Sequence, residues 1–258
     1  MSNGRDTRAL ELAPLDARSL ALSALLGTHP PVLPARALVA LADLFGIAGG
    51  TMRTALSRMG ANGELVLADG RYRLAGRLLD RQRSQDIGRR DPAEAWDGTW
   101  HTLVVVPDQR RLPERRRFRA VMSDHRFGEL RPDIWMRPAN LDPPPHDHDV
   151  IVTTGALSGT DPGLLCARLW DLDSLRVRGD ALLSELRRQR DESDWSDPRS
   201  IPGIFTFSAA VVRYLRDDPL LPPQLAPADW PAASLRVEYD VAEGRLQHLL
   251  HGFLRAAT

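Results

Sequence analysis

The sequence predicts an α+β protein of three successive parts, and three observations support this prediction. Residues 49–62 have the apolar spacing of an amphipathic helix, and two short β-like runs follow at once. Between residues 99 and 176, β-branched runs alternate with helical segments. From residue 177 onwards the apolar residues repeat mainly with helical spacing. We therefore expect a helix-and-hairpin N-terminal part, a mixed α/β middle and a helical C-terminal part.

Composition limits the classes of function. The formal net charge of the 258-residue chain is +0, so any contact with nucleic acid must come from a local basic patch. All 34 basic residues are arginine, which suits phosphate contacts and also fits the codon bias of a GC-rich genome. The single Cys166 excludes an internal disulfide and a zinc ribbon. No signal peptide pattern and no apolar run near ~18 residues is present, which predicts a cytoplasmic protein without a membrane partner.

Two helices are predicted before the amphipathic one. Asp16 can cap a leucine-rich helix that ends near Gly27. Residues 28–33 are predicted as a proline-containing turn, and Pro34 occupies a favourable first position of a second helix. Residues 46–49 then make a tight turn into the third helix.

The third helix, residues 49–62, has two distinct faces. Its apolar stripe consists of Met52, Ala55, Leu56 and Met59. The other side carries hydroxyls and cations, namely Thr51, Arg53, Thr54, Ser57 and Arg58. Gly63 ends the helix, and Asp69-Gly70 joins two short strands into a hairpin. A polar-faced helix followed directly by a hairpin predicts a winged helix-turn-helix domain over residues 1–76.

This arrangement predicts binding to double-stranded DNA. The helix would enter the major groove, where arginine bonds bidentate to guanine and Ser or Thr hydroxyls reach bases or phosphates. Arg71 and Arg73 alternate with Tyr72 and Leu74, so one face of the second hairpin strand is cationic. These two arginines would contact adjacent phosphates or the minor groove.

The rest of the chain divides into three predicted segments. Residues 77–98 are a charged linker helix. Residues 99–176 show the order β-α-β-β-α, with strands at 102–106, 128–137 and 149–153 and helices at 113–124 and 161–172. This order predicts a ferredoxin-like α+β domain. Residues 177–258 form an α-helical domain with helices at 177–194, 201–216 and 231–257, and a proline-rich irregular stretch at 217–229.

The chain resembles the PaaX-type transcriptional regulators, named for the repressor of phenylacetic acid degradation. The resemblance is carried by motifs in family order: Phe45-Gly46-Ile47, residues 52–59 (MRTALSRM), Gly63, Tyr72-Arg73-Leu74, residues 96–100 (WDGTW), 126–130 (RFGEL), 135–141 (WMRPANL), 169–172 (LWDL), 218–222 (DPLLP) and 229–231 (DWP). It implies a homodimeric repressor, not an enzyme, of an aromatic or related acid catabolic operon. It also implies release from the operator by an acyl-CoA thioester such as phenylacetyl-CoA, a middle fold shared with small CRISPR-associated endonucleases, and a C-terminal module for dimerisation or ligand sensing.

The sequence gives two alternatives for the residues of the effector site. Tryptophans and arginines of the resembling motifs offer an apolar slot and cations for a small aromatic thioester, and the candidates are Trp100, Arg126, Trp135, Arg137 and Trp170. The alternative is that these tryptophans, together with Trp96, pack in the domain core.

An alternative function is a metal-dependent nuclease or nucleic-acid-processing protein built on the middle domain. Asp108 lies near the end of the first predicted strand, where the CRISPR-associated enzymes hold a metal ligand, but one carboxylate does not make a metal site. The pairs His146/His148 and His248/His251 are weaker metal candidates, because neither has the partners of a metal site nearby in sequence. Ser158, in Gly155-Ala156-Leu157-Ser158-Gly159, stands in the wrong slot for a nucleophile elbow, and the segment is predicted as a turn. We therefore predict no catalytic residue, no metal site and no cofactor.

Overall fold

The computed structural model describes residue 12 and residues 14–90, 96–106, 111–142 and 150–256. The helices are α1 (Ala17–Leu26), α2 (Ala35–Leu44), α3 (Gly49–Ala61), α4 (Arg77–Arg89), α5 (Leu112–Asp124), α6 (Pro162–Leu169), α7 (Leu172–Glu192), α8 (Ile201–Asp217) and α9 (Pro231–Ala256). The strands are β1 (Val32–Pro34), β2 (Leu65–Ala68), β3 (Arg71–Leu74), β4 (Thr99–Val105), β5 (Gly128–Arg131), β6 (Ile134–Pro138) and β7 (Val150–Ala156). The mixture of helices with two antiparallel sheets confirms the predicted α+β class.

The chain forms two compact units. The first comprises residues 1–86, 181–213 and 237–258, and the second comprises residues 87–180 and 214–236. The C-terminal third therefore contributes to both units rather than to one. The boundaries at residues 76, 98 and 176 expected from the sequence remain predictions.

In the first unit, α1 begins and ends where its capping residues indicate. The Asp16 carboxylate accepts a hydrogen bond of 2.7 Å from the Ser19 backbone N–H, and Gly27 is the C-cap. Residues 32 and 33 depart from the predicted turn, because they belong to β1, which pairs antiparallel with β3. Pro34 also differs from the prediction, since it has extended dihedral angles (φ −61°, ψ 143°) and is the N-cap of α2 rather than its first helical residue. The wing is thus a three-stranded sheet of order β1-β3-β2.

The core of the first unit is built around α1, α2 and α3. Leu20, Leu25, Leu38 and Met52 are each 0 % exposed. Residues from the C-terminal helices complete this core, namely Ile201, Ile204, Phe205, Leu246 and Leu249. Phe45 and Phe205 meet edge to face, with ring centroids 5.8 Å apart. The helix-turn-helix therefore depends on apolar partners from a distant part of the chain.

The second unit contains a four-stranded antiparallel sheet of order β5-β6-β4-β7. Its first and third strands in chain order lie at the centre, as in the predicted ferredoxin-like fold. The single strand predicted for residues 128–137 is instead the β5–β6 hairpin, turning at Asp133 (φ 67°) with an irregular register near Glu129. The predicted strand at 149–153 extends to residue 156, so Gly155 and Ala156 are strand residues and not part of a turn.

The two faces of this sheet carry separate cores. On one face, Leu103, Val105 and Trp135 pack with Met122 of α5 and with Phe127. On the other, Trp100 and Met136 pack with Leu165, Cys166 and Leu169 of α6. This division follows from the strand alternation, because Leu103 pairs with Trp135 while Trp100 pairs with Pro138.

The remaining predicted helices are present, but their first and last residues differ from the prediction. The helix predicted for 161–172 ends at Leu169, and α7 begins at Leu172, five residues before its predicted start. The prediction of an irregular stretch between α8 and α9 is confirmed. Within the predicted linker helix, residues 77–89 are helical and residues 96–98 are not, while residues 91–95 lie outside the described ranges. The role of this segment as a linker stays a prediction.

Candidate nucleic-acid interface

The turn between α2 and α3 fixes the direction of α3. The N–H of Ile47 bonds to the carbonyl of Ala42 at 2.9 Å, and the N–H of Gly46 bonds to that of Asp43 at 3.0 Å, which is a Schellman motif. Gly46 has φ +67°, a conformation that L residues with a Cβ rarely adopt. At the start of α3, a Cβ on Gly49 would stand 3.0 Å from Val39 Cγ1, so the glycine permits close approach of the two helices. These local features hold α3 at a defined angle to α2.

The two predicted faces of α3 are both present. Met52, Leu56 and Met59 are buried, and Ala55 is half-buried beside them. The predicted contact residues are all exposed: Thr51, Arg53, Thr54, Ser57 and Arg58. A second Schellman motif ends the helix, with Glu64 N–H bonding to Met59 O at 2.9 Å and Gly63 at φ +69°. The structure therefore presents all five candidate side chains of this helix to solvent.

The polar groups on this face differ in whether they already make hydrogen bonds or ion pairs within the protein. Arg53 and Arg58 make no hydrogen bond or ion pair with another described residue, so their guanidinium donors are available to a ligand. The Thr54 hydroxyl donates to the Gly50 carbonyl at 3.0 Å. Thr54 therefore offers an incoming group an acceptor oxygen, while Ser57 and Thr51 keep both roles.

The wing hairpin places its two cations on one side. Asp69 (φ 49°) and Gly70 (φ 69°) both have positive φ, as a type I′ turn requires. Arg71 and Arg73 are exposed and unpaired among the described residues, while Leu74 is buried. The cationic and apolar faces predicted for this strand are therefore present.

Sequence inspection missed Arg36, a further exposed cation near this surface. It lies in the first turn of α2, and the N–H of the preceding Ala35 bonds to Gly70 O in the wing turn at 3.0 Å. Between residues 34 and 78 there are six arginines and three carboxylates, although the whole chain is neutral. The pairing of β1 with β3, which no local signal reveals, is what brings the start of α2 to the wing.

Glu64 joins three elements behind this surface. It is 6 % exposed, accepts from Arg18 of α1 at 2.6 Å and from Arg77 of α4 at 3.3 Å, and directly precedes β2. Burial disfavours its charged form, but the hydrogen bonds and charges of both arginines outweigh burial, so the pKa of Glu64 is lowered. The ionised carboxylate therefore links α1 and α4 at the start of β2.

The candidate effector residues are not brought together into one pocket. Trp100 and Trp170 belong to one apolar cluster, in which Trp96 and Trp100 meet edge to face at 6.1 Å. Trp135 lies on the opposite face of the sheet. The alternative, that these tryptophans pack in cores, describes Trp100 and Trp135 well, since they are 1 % and 5 % exposed.

Arg126 and Arg137 are both buried cations in the second unit. Arg126 lies two residues after the end of α5 with φ +63° and donates to the Leu215 carbonyl at 3.5 Å. Arg137 lies with its Cζ 5.0 Å from the Phe127 ring centroid and donates to the carbonyls of Leu141 and Asp142. Burial lowers the pKa of each arginine to about 10, with nearby carboxylates opposing the change, and both remain charged at neutral pH.

His101 lies beside Arg137 on the same face. The two residues pair across β4 and β6, and His101 Nδ1 is 2.8 Å from the Thr154 hydroxyl. Burial, and then the charge of Arg137, lower the pKa of His101. This histidine is therefore a neutral core residue at physiological pH.

The metal and nuclease candidates receive no support from the described residues. Asp108, His146 and His148 lie outside the described ranges. His248 and His251 are exposed on α9, and no group of three or more potential ligands occurs in the described parts of the chain. Within those same ranges, no helix is both long and apolar enough to cross a membrane.

Comparison with known proteins gives matches over both units. The sequence profile of the PaaX-like proteins matches residues 16–78, and that of the PaaX protein central Cas2-like domain matches residues 93–148. The solved structure of the uncharacterized protein Rv0674 from Mycobacterium tuberculosis is similar, with 39 % sequence identity and a TM-score of 0.65, covering 92 % of this chain and 98 % of that one. A comparison with curated proteins gives no match. The family profiles, the α+β fold and the similarity over nearly the full length together show that this chain belongs to the PaaX-like family, whose membership indicates a transcriptional regulator.

Proposed function

We propose that this protein is a sequence-specific repressor that binds a double-stranded DNA operator through α3 and the wing. The main support for this proposal is the exposed face of α3. It presents two unpaired arginines and three hydroxyl side chains on a helix whose opposite stripe is buried. A helix of 13 residues is about 20 Å long, which suits insertion into the major groove.

The side chains divide into two roles in this proposal. Arg53 and Arg58 bond to guanine edges, with Thr51, Thr54 and Ser57 reaching neighbouring bases or phosphates. Arg71 and Arg73 on the wing contact phosphates or the minor groove, and Arg36 at the start of α2 adds a phosphate contact. A locally basic surface in this part of a neutral chain supports the assignment, because DNA affinity depends strongly on local cation density.

The repressor acts as a homodimer in the cytoplasm, and each copy supplies one α3. Two-fold symmetry requires an operator of two inverted half-sites, whose centres lie about 10 base pairs apart or a multiple of that distance. The resemblance to the repressor of phenylacetic acid degradation supports this assembly and an operon for aromatic or related acid catabolism.

An acyl-CoA thioester such as phenylacetyl-CoA releases the repressor from its operator. Release requires that the thioester bind the DNA-free conformation more tightly than the DNA-bound one. No catalytic step enters the proposal, and none of the described residues argues for the nuclease alternative.

The test is fluorescence anisotropy of the purified protein on labelled duplexes tiled across its own upstream region. We expect tight binding to one duplex, weakening with salt, and reversal by phenylacetyl-CoA but not by coenzyme A alone. Binding that no thioester reverses would keep the DNA-binding role and discard the effector. Equal weak binding to every duplex would contradict the sequence-specific repressor.

A further inference from the structure

A pocket of about 150 Å³ lies between α5 and the β5–β6 hairpin in the second unit. Phe118 and Arg119 line it from the helix, and Trp135 and Asp133 line it from the hairpin. It is built within one unit from elements whose packing is fixed by the sheet core.

One wall of the pocket is aromatic. Phe118 and Trp135 meet edge to face, with ring centroids 6.1 Å apart and an interplanar angle of 74°. Trp135 is 5 % exposed and packed in the core of the sheet, so the aromatic wall is rigid. A cavity of about 150 Å³ is large enough for a benzene ring. The pocket can therefore take a phenyl group but not a nucleotide.

The rim of the pocket is charged, with two arginines and two carboxylates, namely Arg115, Arg119, Glu129 and Asp133. Arg115 and Arg119 both line it, and Arg115 makes no ion pair with another described residue. Arg119 pairs with Glu129 at 3.0 Å, and the Arg119 side chain is 62 % exposed, so an incoming anion can compete for its guanidinium. The remaining arginines of this helix are also exposed, namely Arg116 and Arg117, with Arg111 just before it.

We propose that this pocket binds an aryl group that carries an anion, with the ring against Phe118 and Trp135 and the anion on Arg115 and Arg119. The proposal rests on the function proposed above and locates its effector site. The anion is the carboxylate of a free aryl acid or a phosphate of its coenzyme A thioester. In the second case the pantetheine and nucleotide extend out of the pocket into solvent.

Calorimetric titration of the full chain without DNA tests the pocket separately from repression. The probes are phenylacetate, phenylacetyl-CoA and coenzyme A alone. The test variant is the double substitution Arg115→Gln/Arg119→Gln, and the matched control is Arg116→Gln/Arg117→Gln on the same helix. We expect an aryl probe to bind the wild type and the control equally, and to bind the test variant at least ten times more weakly.

Phe118→Leu tests the aromatic wall, with its thermal unfolding midpoint recorded to show that the variant is folded. We expect weaker binding of the aryl probe and no change for coenzyme A. Tighter binding of phenylacetate than of the thioester would identify the free acid as the source of the anion, and the reverse order would identify the thioester. Either order supports the pocket.

Three results would overturn the proposal. They are binding of coenzyme A alone as tightly as its aryl thioester, equal losses in the two double variants, and no binding of any probe to the wild type. A loss of operator affinity in Arg115→Gln/Arg119→Gln with aryl binding intact would also overturn it and make α5 a DNA-contacting surface. Aryl binding with the expected variant pattern, but without release of DNA, would keep the pocket and contradict only the effector-controlled repressor.

Discussion

At the scale of single residues, Arg58 is the most informative side chain on the proposed interface. It is exposed, makes no ion pair with another described residue, and lies on the same helix as the buried Leu56 and Met59. Because its neighbours on the helix are fixed in the core, a substitution at Arg58 changes the surface without changing the packing.

We predict that Arg58→Ala weakens binding to the operator by about 1–3 kcal/mol and reduces discrimination between operator and unrelated DNA. The proposed bidentate contact to guanine would be lost, and no bond to another described residue would be broken. Anisotropy titration at fixed salt measures the effect. Arg199→Ala, at an arginine whose side chain is 90 % exposed outside α3 and the wing, serves as control. An unchanged affinity for Arg58→Ala would contradict its contact with DNA.

Glu64 gives a prediction about stability and pH. Its lowered pKa means that its ionised form stabilises the folded state above its ordinary pKa of 4.5, and that this contribution is lost as pH falls through the lower pKa of the folded state. We expect Glu64→Gln to reduce the free energy of unfolding by about 1–3 kcal/mol at pH 7 and by much less at pH 3. Urea unfolding at both pH values measures the difference.

The control for Glu64 is Glu192→Gln, because the Glu192 carboxylate also pairs with an arginine but its side chain is 61 % exposed. Exposed pairs contribute little, so we expect a change of at most about 1 kcal/mol at either pH. A loss in Glu64→Gln that is equal at both pH values would show that the ionised carboxylate is not what joins α1, α4 and β2.

At the scale of elements, two of the three glycines in the turn before α3 and at its start have opposite requirements. Gly46 has φ +67°, while Gly50 lies inside the helix, and a Cβ at either position meets no atom within 4 Å. Steric clash is therefore absent at both, and backbone conformation alone separates them.

We predict that Gly46→Ala lowers the free energy of unfolding by about 1–2 kcal/mol, because alanine disfavours the left-handed conformation. Gly50→Ala is the matched control, and it should leave stability unchanged or raise it by up to about 1 kcal/mol, since alanine favours a helix. Thermal and urea unfolding of both variants measures this pair. Equal destabilisation by the two substitutions would contradict the role of the Schellman turn in fixing the direction of α3.

The wing is an element whose contribution should be electrostatic. We predict that the double substitution Arg71→Ala/Arg73→Ala weakens binding to operator and unrelated DNA by similar factors. It should also reduce the slope of log K against log salt by about 2, because two phosphate contacts are lost. Titrations at several salt concentrations measure the slope. A selective loss on the operator alone would instead indicate that the wing reads bases.

At the scale of the whole molecule, thermodynamic linkage requires that the proposed effector and the proposed operator change each other's affinity by the same factor. If the aryl thioester lowers operator affinity by some factor, commonly about 5–150-fold, the operator must lower thioester affinity by the same factor. We expect calorimetric titration of the protein–operator complex to give this factor within error. A thioester that binds the free protein and the complex equally would show that it does not release the repressor.

The accuracy of sequence-based prediction differed between local and long-range features for a physical reason. The caps at Asp16 and Gly27, the stripe of α3 and the Asp69-Gly70 turn are set by interactions within a few residues, and all of them appear in the structure. The predicted DNA-contacting residues are likewise exposed, although their contacts with DNA stay predictions. The β5–β6 hairpin was missed although Pro132 and Asp133 in its turn favour a turn, because the turn lacks glycine and the residues on both sides form a strand-like run.

The sequence by itself determined where the helices, the wing hairpin and the two faces of α3 lie, because these depend on local periodicity and on glycine and capping preferences. Only the tertiary structure decided that Val32–Pro34 completes the wing, that Glu64 is held between Arg18 and Arg77, and that C-terminal residues complete the N-terminal core. It also placed Trp100 and Trp135 on opposite faces of one sheet and formed a pocket beside Trp135. These features depend on register and packing between residues far apart in sequence, which no local pattern encodes.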